Sequence, residues 1–94
     1  MTEAEYEALI DIALGLTDRG VARRRYLSRR GAQNRIHSLY IKLGVERLDV
    51  EEPGSMFSPR NRAVWEALHR GLINADVLEA ENASLKRWIE ENPE

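Results

Sequence analysis

Apolar residues recur along this 94-residue chain with a helical period, and no stretch of four or more residues alternates convincingly as a strand. Thr2 followed by Glu5 has the form of a capping box, and the helix it opens carries Tyr6, Leu9, Ile10 and Ala13 on one side before Gly15 ends it. Thr17 caps a short second helix through about Arg24, with Val21 and Ala22 inward. Arg25, Tyr26 and Leu27 form a turn, and Ser28 opens a third helix running to Leu43, with Gly44 as its stop signal. Residues 46–57 read as a loop through Pro53-Gly54. Ser58-Pro59 starts a fourth helix that would present Val64, Trp65, Leu68, Leu72 and Ile73 before Gly71 and Asn74 weaken it. Asp76 with Glu79 suggests a capped last helix to about Glu91. The predicted class is all-α: a tri-helical helix-turn-helix core, a fourth helix and a C-terminal helix. Residues 1–74 form the core domain, and residues 75–94 a helix for dimerisation or core packing.

In the third helix Ala32, Ile36, Leu39 and Leu43 are spaced four, three and four apart, so they make a single stripe. Steps of about 100° put Arg30, Asn34, His37 and Ile41 on the opposite face. Arg29, Gln33 and Tyr40 fall on one flank, Arg35 and Lys42 on the other. In the last helix Leu78, Asn82, Leu85 and Ile89 repeat the four, three, four spacing, which allows a dimer seam with Asn82 at a buried polar position. The same stripe could instead pack within the chain against Tyr6, Ile10 or Trp65. Trp65 and Trp88 read as core or interface anchors.

Charge changes the picture. The net charge is −2, yet nine of the fourteen Lys and Arg residues lie between Arg19 and Arg47, with Glu46 the one acid among them. Local field, not net charge, attracts a polyanion. A helix that buries one face and exposes a basic, amide-bearing one suits the DNA major groove, about 12 Å wide. Asn34 and Gln33 can pair bidentately with adenine and Arg30 with guanine. Arg23, Arg24, Arg25, Arg29, Arg35 and Lys42 suit phosphates, helped by the helix N-terminus beside Ser28. The alternative is a solvated arginine face, with His37, Gln33 and Asn34 ordinary surface residues.

Other chemistry finds little footing. The chain has no cysteine, two histidines and no glycine-rich phosphate loop or nucleophile motif, so no enzyme, metal site or cofactor is expected. Asp49, Glu51 and Glu52 lack the spacing of a calcium loop. The acidic N-terminus is not a secretory signal, and no apolar run approaches the roughly 20 residues of a membrane span. A cytoplasmic, nucleoid-associated protein of a bacterium or its phage is expected.

From Met1 to Val45 the chain resembles the LuxR/GerE-type DNA-binding domain of bacterial transcription regulators. Thr2, Glu5, Glu7 and Leu9 match its opening motif; Ala13, Gly15, Leu16 and Thr17 match its next block. Val21-Ala22, Ser28 and the closing Lys42-Leu43-Gly44-Val45 follow without a gap. The resemblance implies base contacts from Gln33, Asn34 and His37, and Thr17 and Ser28 join the candidate phosphate contacts. Arg25 stands where the family has leucine, so that site is expected to open to solvent or DNA. Gly31-Ala32 replaces a Thr-Val pair, and Arg35 a histidine. Asn61-Arg62-Ala63-Val64 fits the family's fourth helix, through which members often dimerise, after an insertion of about a dozen residues. The implied function is sequence-specific binding of double-stranded DNA by a homodimeric transcriptional regulator, with half-sites about 10 bp apart. The alternatives are a degenerate module that binds a protein of the transcription machinery, or the DNA-recognition subunit of a viral packaging assembly.

Overall fold

A computed structural model of the chain describes residues 1–46 and 57–93. Among these residues five helices account for the regular structure: α1 (Glu3–Ala13), α2 (Asp18–Arg24), α3 (Arg29–Leu43), α4 (Pro59–His69) and α5 (Ala75–Glu91). The fold is all-α. The expected loop lies, but for Glu46 and Phe57, outside the described residues, as do Asp49, Glu51 and Glu52.

Each helix starts where a side-chain oxygen can accept an orphan backbone amide. Thr2 and Glu5 form the complete capping box, Thr2 Oγ1 accepting from Glu5 N at 3.1 Å and Glu5 Oε1 from Thr2 N at 2.8 Å. Thr17 Oγ1 accepts from Gly20 N at 3.1 Å, and Ser28 Oγ from Gly31 N at 3.0 Å. Ser58 caps α4, with Pro59 in its first turn. The last helix is capped by Asn74, whose Oδ1 accepts from Val77 N at 2.9 Å, and not by Asp76. Asn74 is the first residue placed to reach the third backbone amide along, and Asp76 remains in the first turn, where its charge suits the helix dipole.

The core forms where α1, α2, α3 and α4 meet. Ala32, Ile36, Leu39 and Leu43 are all buried, as are Leu9, Ile10, Val21 and Ala22. The apolar stripe of the fourth helix is only partly buried. The helix buries Ala63 and Ala67, while Trp65, Leu68 and Leu72 stay exposed, Trp65 at 46 %. Two alanines let the α4 backbone lie close to α3 and α1, and a tryptophan would hold it off. Ile73 is buried and Val64 half-buried.

Arg60 of α4 and Arg70 at its C-terminal cap fasten the helices around α3. Arg60 pairs with Asp18 at 3.1 Å and donates through Nη2 to the carbonyl of Leu16. Arg70 Nη2 donates to the Leu43 carbonyl at 3.1 Å, satisfying an orphan acceptor at the end of α3.

The C-terminal helix lies on its own chain. Leu85 is buried and Leu78 packs against the core, so these two members of the candidate dimer seam are committed inside the molecule. Asn82 is half-buried and Ile89 is exposed. The intramolecular alternative is the one adopted, because α1 and α2 leave an apolar flank that α5 covers at no cost in association entropy.

Candidate nucleic-acid interface

The third helix presents its polar face outward. Arg30, Asn34, His37 and Ile41 are exposed opposite the buried stripe that fixes the helix on the core, and Arg29, Gln33 and Lys42 are exposed on its flanks. Arg30, Asn34 and His37 recur at helical spacing, so their side chains point together off a rigid support. Gln33 sits at the margin: its Nε2 leans back toward Asp18 Oδ2 on α2, at 3.4 Å. Arg35 turns toward α1, its Nη1 lying 3.9 Å from Glu7 Oε1.

The capping hydroxyls of Thr17 and Ser28 are exposed. Each spends a lone pair on its helix and keeps an O–H that can donate to a phosphate. Arg19, exposed in the first turn of α2, adds a cation beside Thr17 that no motif pointed to.

The scaffold-helix arginines are placed differently. Asp11 of α1, fully buried, sits between two of them. Arg24 Nη1 donates to Asp11 Oδ1 at 2.7 Å. Arg25 grips the same carboxylate with two donors, Nε to Oδ2 at 2.9 Å and Nη2 to Oδ1 at 3.0 Å, and reaches Glu7 through Nη1 at 2.9 Å. Arg24 is 8 % exposed and also lies 3.8 Å from Glu81 of α5. Burial disfavours the charge on Arg25, but its hydrogen bonds to Asp11 and the charges of Asp11 and Glu7 outweigh that, so its pKa is raised. Arg23 donates to the Asn92 carbonyl at 2.9 Å, and its guanidinium lies 5.4 Å from the Trp88 ring centre.

These contacts correct the expected phosphate set. Arg24 and Arg25 face inward because a buried carboxylate without cations would be prohibitively costly, and a bidentate fork is the arrangement that satisfies it. Arg25 is held against α1 instead, with 19 % of its side chain exposed. Arg23 is drawn to the end of α5. The outward set is Arg19, Arg29, Arg30 and Lys42, with the hydroxyls of Thr17 and Ser28. The sequence carried one sign of this split, an aspartate in the middle of the apolar run of α1 opposite an arginine triplet.

Trp65 lies on a separate surface. Its ring stacks on His69 with centroids 4.8 Å apart, and the Arg62 guanidinium sits 4.0 Å from the Trp65 ring centre and 5.1 Å from that of Phe57. Among the described residues there is no cluster of three or more His, Cys, Asp or Glu able to hold a metal, and no helix is long and apolar enough to cross a membrane. Comparison with protein-family models, curated proteins and solved structures returns no match.

Proposed function

We propose that this protein binds double-stranded DNA in a sequence-dependent way, with α3 lying in the major groove, and acts as a transcriptional regulator. The observation that carries the reading is the outward face of α3. Arg30, Asn34 and His37 project together from a helix whose opposite face is fully buried, so their positions are held before DNA arrives. Arg30 offers two donors to guanine and Asn34 a donor and an acceptor to adenine. Arg19, Arg29 and Lys42 supply the phosphate contacts on either side. The resemblance of residues 1–45 to the LuxR/GerE-type domain supports the same reading.

Two copies would give the two-fold arrangement that a palindromic site needs. With Leu78 and Leu85 committed inside the chain, the available surface is the exposed Trp65 and Leu68 of α4 with Leu72 in the turn that follows it. Trp65→Glu should then convert a dimer to a monomer in solution-mass measurements while leaving the helical content unchanged.

The direct test selects bound duplexes from a random pool and compares them with a random duplex. Asn34→Ala should weaken binding to the selected sequence by about 1–3 kcal/mol and leave binding to the random one unchanged. Equal losses on both would show that Asn34 reads no base.

A further inference from the structure

Three of the five helices end on the same backbone device. In α1, Gly15 N donates to Ile12 O at 3.1 Å and Leu16 N to Asp11 O at 3.0 Å. In α3, Gly44 N donates to Ile41 O at 3.1 Å and Val45 N to Tyr40 O at 3.0 Å. In α4, Gly71 N donates to Leu68 O at 3.1 Å and Leu72 N to Ala67 O at 2.9 Å. This pair of reversed bonds requires a left-handed residue one or two positions past the helix, and the three glycines have φ of +94°, +74° and +73°.

The α2 end is built in the same way, with Tyr26 N donating to Arg23 O at 3.3 Å and Leu27 N to Ala22 O at 2.8 Å. The left-handed position there is Tyr26, at φ +57°. It is the one non-glycine residue with positive φ among the described residues. A side chain in this conformation costs about 1–2 kcal/mol that glycine does not incur. Tyr26 recovers none of it in the fold: it is 80 % exposed, the most exposed large apolar side chain described, whereas its neighbour Leu27 packs on the core. An exposed aromatic ring held at a strained turn, two residues before the cap of α3 and beside Arg29 and Arg30, suggests a contact outside the chain.

We propose that Tyr26 is a DNA-backbone contact, its phenol O–H donating to a phosphate oxygen and its ring lying on the adjoining sugar. The inference rests on the DNA-binding reading above. The fold supplies the geometry: α2 ends at Arg24, four residues lead to α3, and Tyr26, Ser28, Arg29 and Arg30 are all exposed along this turn and first helical residues. A phosphate held at that N-terminus would lie within reach of the turn. Tyrosine gives this contact reach and a hydrogen-bond donor without adding charge. Its loss should therefore weaken binding without changing the number of counterions released.

The test measures duplex binding across a salt series, on selected and random sequences, together with thermal unfolding of the full chain. Tyr26→Phe should lose about tenfold in affinity on both duplexes, with an unchanged Tm and an unchanged slope of log affinity against log salt. Tyr26→Gly should bind more weakly still, yet raise Tm by about 4 °C as the left-handed strain is removed. Wild-type affinity in Tyr26→Phe overturns the contact while the DNA reading stands. A wild-type protein with no salt-dependent duplex binding overturns both.

Discussion

Arg24 and Arg25 lie within six residues of Arg29 and Arg30, and the two pairs do opposite work. The first pair closes on Asp11 in the interior and ties α2 to α1; the second stands in solvent at the start of α3. The cause is not the arginines, which are chemically identical, but what each helix faces. The inner flank of α2 meets a buried carboxylate, whereas the first turn of α3 meets none. A run of like charges in a sequence is thus not one patch. Its members divide according to where the counter-charges are buried.

The largest effect expected from this division lies inside. Asp11→Ala leaves Arg24 buried with its main partner gone and removes the bidentate grip on Arg25. It should cost about 3–5 kcal/mol, lowering Tm in thermal unfolding by at least about 12 °C. A loss below about 1 kcal/mol would mean that the interior pair is a bystander.

A smaller effect comes from the exposed carboxylate on the same helix. The Glu5 pKa is lowered, first by its hydrogen bond from the Thr2 backbone amide and further by the charge of Lys42. A carboxylate with a depressed folded pKa contributes stability above its unfolded value, 4.5, and that contribution fades as pH falls through the lower folded value. Glu5→Gln should therefore be less stable than wild type at neutral pH, with the difference closing in acid. A difference that stays constant across the pH range would detach the capping box from Glu5 ionisation.

The third helix was legible from its sequence because a single spacing rule governs it. Fifteen residues carry one apolar stripe between a serine cap and a glycine stop, so burial, polarity and ends agree. In the fourth helix hydropathy points to the large residues, whereas close packing of helix on helix buries the small ones, Ala63 and Ala67. The four, three, four spacing of α5 fits a partner helix in another copy or a flank of the same chain equally well, and pattern alone does not choose. The outward members of the site, Arg30, Asn34 and His37, followed from the wheel. The inward turn of Arg24 and Arg25 depended on Asp11, a tertiary contact thirteen and fourteen residues away.

Salt titration of duplex binding by Arg25→Ala and Arg29→Ala, compared well below the Tm of either, tests the division most directly. Arg29→Ala should lower the slope of log affinity against log salt by about one, while Arg25→Ala keeps the wild-type slope and loses thermal stability instead. A reduced slope in Arg25→Ala beside an unchanged one in Arg29→Ala would contradict the account.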